Sequence, residues 1–176
     1  AILLYGAVLF GTTQAGVWMQ QPYYTLMGLD EASFGVLAFV GLMLAGSSGT
    51  FGHYVEGKLS VKVILFIMLF GTALAYAVAG LFPGYHGIVL LYVSSVVFGF
   101  GMPQLQNSLN KLIGSERRAT VLSTIMFMAR LVFVGLGTVL SVLIAQAGLY
   151  MTLYVMGCAV VCAGSVVYLY LIRSLD

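Results

Sequence analysis

The sequence predicts an all-helical integral membrane protein in which six transmembrane helices form one bundle. Hydrophobic residues make up 61% of the chain and charged residues only 7%, with a mean hydropathy of +1.08. A soluble domain carries about 25% charged residues, so this chain has too little polar surface to face water on all sides. Its 176 residues leave room for six apolar runs of about 20 residues, the length that spans a bilayer.

The six expected helices follow from apolar runs that are separated by short loops. We expect them at residues 1–24, 33–54, 63–82, 88–112, 115–146 and 151–172, as one bundle over residues 1–176. Asp30 or Ser33 can cap the second helix, and Pro103 is expected to kink the fourth. Because the chain begins abruptly inside an apolar run, we interpret it as a piece of a longer protein.

The positions of the basic residues predict the orientation of the bundle. The seven are Lys58, Lys62, Lys111, Arg117, Arg118, Arg130 and Arg173. All except Arg130 lie in the second loop, the fourth loop or the C-terminal end. By the positive-inside rule these segments are cytoplasmic, which places both ends of the chain on that side. We expect a multi-pass protein of a bacterial cytoplasmic membrane.

A weak internal repeat accompanies this pattern. Residues 26–31 resemble residues 112–117 in spacing, and residues 8–11 resemble residues 96–99. The two matches predict a three-helix unit that occurs twice with opposite orientation, because three is an odd number of crossings. Inverted three-helix repeats are typical of membrane transporters.

Short segments resemble parts of a known transporter family. Residues 118–123, which read Arg-Ala-Thr-Val-Leu-Ser, and the pair Arg130-Leu131 resemble the eleventh helix of many major facilitator superfamily transporters. The segment Gln21-Pro22-Tyr23, with Gly28 and Phe34-Gly35, resembles the end of the seventh helix and the start of the eighth.

A loop between the second and third helices also resembles a motif of that family. Residues 52–62, GHYVEGKLSVK, are similar to its cytoplasmic sequence Gly-x-x-x-Asp-Arg-x-Gly-Arg-Lys. Gly57 departs from the pattern, because it occupies the first basic position. The positions that carry the match are Gly52, Glu56, Lys58 and Lys62.

The resemblance implies a fold and a mechanism for the whole chain. Over all 176 residues the chain looks like the C-terminal half of such a transporter, a bundle of two inverted three-helix repeats. The family has a second, N-terminal bundle of six helices, and the solute cavity lies between the two bundles. The resemblance therefore implies a secondary active transporter half that moves a small solute by alternating access, as a symporter or antiporter.

Arg130 is the sharpest candidate for a functional residue. It lies about 20 Å along its helix from Ser115, near the middle of the bilayer. A charged side chain there costs at least about 2.5–3.5 kcal/mol, so it must face the bundle interior and find a partner. The partner is a solute, backbone carbonyls, an amide such as Gln104 or Gln106, or an acid on the missing half. A purely structural hydrogen-bonded role is the alternative.

Amide side chains and one tryptophan are the other candidates for the cavity wall. Amides donate and accept hydrogen bonds, which suits a neutral or polar solute, although they also link helices to one another. Trp18 can stack on a ring of the solute or anchor the chain at the membrane interface. With Arg130, the proposed cavity residues are Gln14, Trp18, Gln21, Gln104 and Gln106.

Other classes of function find less support in the sequence. No Gly-x-Ser-x-Gly motif occurs and both histidines lie at helix ends, so we expect no enzyme. No nucleotide-binding loop is visible, and Cys158 and Cys162 are expected to be buried apolar residues. We expect no cofactor, no metal and no nucleic-acid partner. The alternative to a transporter is a non-transporting six-span membrane scaffold or channel subunit.

Overall fold

The computed structural model of the chain describes residues 2–55, 58–114, 116 and 118–175. In this part of the chain five helices follow one another: α1 (Ile2–Leu26), α2 (Ala32–Val55), α3 (Val61–Leu81), α4 (Tyr85–Leu112) and α5 (Arg118–Leu175). The predicted helical class is confirmed.

The prediction of six separate helices is wrong. The described residues form five, because the expected fifth and sixth helices are one 58-residue element, α5. The expected loop around residues 147–150 is reduced to a kink at Gly148, whose φ of 81° and ψ of 167° are not helical. Glycine is essentially the only residue that adopts this conformation without strain. A single residue therefore makes the turn for which we expected a loop. The expected pair of three-helix repeats is not observed either.

The first limb of α5, residues 118–147, runs parallel to α1. Near the start of each element, Gly6 faces Ile125, and further along Gly11 faces Ala129 and Val132. Both sets of contacts advance in the same direction along the two helices.

The second limb of α5, residues 149–175, runs antiparallel to α3. Gly80, at the end of α3, lies against Tyr150, whereas the hydroxyl of Tyr168 donates a hydrogen bond of 2.9 Å to the carbonyl of Lys62 at the start of α3. The chain therefore reverses direction at Gly148.

Tyrosines hold the centre of the bundle together. The hydroxyl of Tyr5 on α1 donates to the carbonyl of Leu65 on α3 over 2.5 Å, and that of Tyr23 donates to the carbonyl of Gly84 over 2.9 Å. The helix α2 packs on α4, where the hydroxyl of Ser48 lies 2.9 Å from the carbonyl of Val96. These contacts leave α1 and α3 central and α2 at the edge.

Four helices of the described chain are long and apolar enough to cross a membrane. They are Ala32–Gly52, Val61–Leu81, Tyr85–Ser108 and Arg118–Tyr170. The last of these, at 53 residues, would measure about 80 Å if straight, far beyond a hydrocarbon core of about 30 Å. This set is consistent with the predicted membrane protein.

Four basic side chains lie at one end of the bundle. Lys58 follows α2, Lys111 and Arg118 flank the connection between α4 and α5, and Arg173 lies near the end of α5. All four are exposed. Arg117 lies outside the described residues. The expected orientation toward the cytoplasm remains a prediction.

Substitution of a glycine at a close contact between α3 and α5 tests how these two helices pack. A Cβ atom on Gly157 would lie 2.5 Å from the backbone nitrogen of Ala77 and 2.7 Å from the carbonyl oxygen of Ala73. A Cβ atom on Gly137, in the other limb of α5, would meet nothing within 4 Å. We expect Gly157→Ala to lower the free energy of unfolding by about 1–3 kcal/mol relative to Gly137→Ala, because α3 and α5 must move apart.

The measurement is unfolding in mixed detergent micelles, followed by circular dichroism. Both variants gain the same helix propensity, so the difference between them isolates the contact. Equal stability of the two variants would contradict the packing of α3 on α5.

Candidate functional site

A groove runs along α1 on one open face of the bundle. One arm, of about 610 Å³, lies between α1 and the first limb of α5. The other, of about 420 Å³, lies between α1 and α2. Both arms share the lining residues Phe10, Gln14 and Phe98, so we treat them as one feature, the α1 groove.

The larger arm brings three of the predicted cavity residues together. Gln14 and Trp18 line it from α1, and Arg130 lines it from α5, beside Phe133. The Trp18 side chain is 60% exposed, and its ring lies 6.1 Å from the ring of Phe133, centroid to centroid. This arm therefore combines one positive charge, one amide and an aromatic wall.

Arg130 has no partner within the protein as far as the structure describes it. Its side chain is exposed, and no hydrogen bond or ion pair joins it to another described residue, Gln104 and Gln106 included. Among the described residues that line the groove it is the only charged one. Its guanidinium, which carries five hydrogen-bond donors, is free to bind a ligand or a group from another chain.

A close contact between α1 and α5 positions this arm. A Cβ atom on Gly11 would lie 2.6 Å from Cγ1 of Val132 and 2.9 Å from the carbonyl oxygen of Ala129. The two backbones can approach this closely only because Gly11 has no side chain. Close to this contact, Gln14 and Trp18 of α1 and Arg130 and Phe133 of α5 line the larger arm together.

The floor of the groove is apolar. The rings of Phe10 on α1 and Phe98 on α4 meet edge to face, with centroids 5.1 Å apart and planes at 80°. Such pairs are favourable for aromatic rings and hold their side chains in place. The polar groups of the groove thus stand on its walls above a rigid base.

The smaller arm contains polar residues that lie outside the predicted set of cavity residues. Thr13, Gln20 and Ser95 line it. The hydroxyl of Tyr24 lies 3.4 Å from Oε1 of Gln20, which ties this amide to a buried neighbour and fixes it. On α1, Thr13, Val17 and Gln20 fall on neighbouring turns, and this spacing was visible in the sequence. The sequence did not show that α2 would leave this face of α1 open.

The other predicted cavity residues lie elsewhere. Gln21 is exposed and lines neither arm, and its carbonyl accepts a hydrogen bond from Thr25. Gln104 is only 4% exposed and donates to the carbonyl of Phe100 within its own helix. Gln106 lines a separate space of about 10 Å³ next to Leu105, too small for more than one water molecule.

The predicted loop motif lies at the basic end of the bundle, away from the groove. Gly52 is buried, and a Cβ atom there would lie 3.0 Å from the carbonyl oxygen of Phe100. Lys58 is exposed after α2, and Lys62 is in the first turn of α3. Glu56 and Gly57 lie outside the described residues.

The described residues offer no metal site. They contain no group of three or more His, Cys, Asp or Glu side chains that could hold a metal ion. Cys158 and Cys162 are free and exposed on the second limb of α5, so the expectation that they are buried is wrong.

With Arg130 as its charged group, the groove is suited to binding an anion or an acidic side chain.

Comparison with known proteins gives no relative. No protein-family model, curated protein or solved structure matches the chain. The resemblance to the major facilitator superfamily stays a prediction, and what the groove can do is argued from its own residues.

Cysteine labelling tests whether the groove is open to water. On a background in which Cys158 and Cys162 are serine, we expect Gln14→Cys to react with an anionic methanethiosulfonate at least about tenfold faster than Gln104→Cys, because only an ionised, accessible thiol reacts. Gln14 lines the groove, whereas Gln104 is buried between helices.

A third variant separates water from lipid. Val166 is 68% exposed and lines neither arm of the groove, so we expect lipid around it to keep a thiol neutral. Val166→Cys should therefore react as slowly as Gln104→Cys. If Gln14→Cys reacts as slowly as Val166→Cys, the groove is filled by lipid.

Proposed function

We propose that this chain is part of a secondary transporter and that the α1 groove binds the transported solute. The observation that carries the proposal is Arg130, an exposed and unpaired arginine inside a long apolar helix, beside Gln14 and Trp18 in one groove. It supports a polar cavity at this depth in the membrane.

The energetic argument rests on the depth of Arg130. It is 130 − 118 = 12 residues after the start of α5, or about 18 Å along the helix axis. If α5 begins at the membrane surface, this is near the middle of a core of about 30 Å. An arginine that faced lipid there would cost at least about 2.5–3.5 kcal/mol, so water, a solute or a partner must cover it.

We propose that a second helical bundle forms the opposite wall of the groove. The groove is open on one side, and neither arm is closed by any described residue of this chain. A bundle that faced it would complete a cavity near the midplane, and the two bundles would rock around the bound solute. The resemblance to the major facilitator superfamily implies the same arrangement, with the basic end of the bundle in the cytoplasm.

The charges bear on the source of energy. Asp30, Glu31 and Glu116 are the described acids, and all three lie between helices. A carboxylate that couples transport to protons would therefore come from the opposite wall. Without one, the solute would move down its own gradient.

Uptake by proteoliposomes tests the proposal. The protein is purified from its native membrane with any partner subunits, and uptake of labelled benzoate, glucose and choline is measured. We expect saturable uptake of at least one probe. We expect Arg130→Ala to reduce it by about tenfold or more, the equivalent of one charge-assisted hydrogen bond.

Arg173→Ala is the matched control, since it removes an exposed positive charge outside the groove and should leave uptake unchanged. Uptake of all three probes at the rate of empty vesicles would contradict transport. Flux that does not saturate would favour a channel subunit. Uptake by Arg130→Ala at the wild-type rate would show that Arg130 has only a packing role.

A further inference from the structure

We infer that the α1 groove selects small carboxylates attached to a flat ring over neutral and cationic solutes of the same size. This inference rests on the proposed function, because it names the solute class of the same groove. It is carried by the juxtaposition of Arg130, Trp18 and Phe133 in the larger arm.

The charge of the ligand follows from Arg130. Among the described lining residues it brings a single positive charge and no acid balances it. A guanidinium presents a planar fork of donors that matches a carboxylate with two parallel hydrogen bonds. A monoanion therefore neutralises the groove, whereas a cation would add to an uncompensated charge in an apolar surrounding.

The ring of the ligand follows from the aromatic wall. Phe133 is three residues after Arg130, so the two side chains lie on the same face of α5. The Trp18 ring faces the Phe133 ring at 6.1 Å with a tilt of 35°, and Trp18 is 60% exposed and lines the arm. A flat ring bound at this wall gains offset or edge-to-face contacts while its carboxylate reaches the guanidinium.

The dimensions of the groove suit a ligand of this kind. The larger arm measures about 610 Å³, within the range of about 300–1,000 Å³ that is typical of small-molecule sites. Its remaining lining is apolar except for Gln14, which stands where the two arms meet. That amide can donate to or accept from one further polar group on the ring.

The fluorescence of Trp18 reads out binding directly, because the chain contains one tryptophan. Three probes share a nitrophenyl ring that quenches tryptophan and differ in charge: 4-nitrobenzoate, 4-nitrobenzyl alcohol and 4-nitrobenzylammonium. Each is titrated into the complete purified protein. The Trp18→Phe variant supplies the background to subtract.

We expect 4-nitrobenzoate to bind at least about tenfold more tightly than the alcohol, with the ammonium weakest, since a hydrogen bond to a charged group is worth this much. In Arg130→Gln the benzoate and the alcohol should bind equally. Arg173→Gln should keep the wild-type preference. The comparison of the three probes in the wild-type protein needs no variant and stands even where a variant fails to fold.

Equal binding of benzoate and alcohol in the wild-type protein would overturn the inference, as would an unchanged preference in a folded Arg130→Gln protein. The uptake assay separates this failure from that of transport. Selective binding of 4-nitrobenzoate without uptake of any probe would contradict the proposed transport but support the inferred preference for ring carboxylates. Saturable uptake of glucose or choline in preference to benzoate would contradict that preference but support transport.

Discussion

The contact of α1 with α5 at Gly11 is the constraint on which the candidate site depends. Because Gly11 has no side chain, the backbone of α1 can pass within contact distance of Ala129 and Val132. Further along the same groove the Trp18 ring lies beside the Phe133 ring, and Arg130 lines this arm one turn before Phe133. A larger residue at position 11 would push α1 and α5 apart. The groove residues would then no longer lie close together, although none of them had been changed.

Composition was enough to predict the helical class and helices apolar enough to cross a membrane, because both are properties of the whole chain. The number of helices could not be predicted, since hydropathy shows a polar break but not its length, and Gly148 reverses the chain without a loop. The candidate site was predicted in part. Gln14 and Gln104 are both amides in apolar helices, and only packing against Gly52 shows that Gln104 is buried.

The groove and the bundle obey the same electrostatic rule. In the described chain, the lysines and the other arginines lie near one end, where water or lipid headgroups can solvate them, and Arg130 alone lies within the apolar part of a helix. A protein keeps such a charge only where something compensates it. We propose that this compensation comes from outside the described residues, from a solute, from water or from an opposite helical bundle, and that the groove therefore does not face lipid.

The central claim is that the groove beside Trp18 and Arg130 holds water or solute while the outer face of the bundle holds lipid. The most direct measurement is the quenching of Trp18 fluorescence in liposomes, first by aqueous iodide and then by lipids brominated along their acyl chains. We predict strong quenching by iodide, an anion that Arg130 attracts, and weak quenching by the brominated lipids. Strong quenching by brominated lipids with none by iodide would contradict the account, because Trp18 would then face the bilayer.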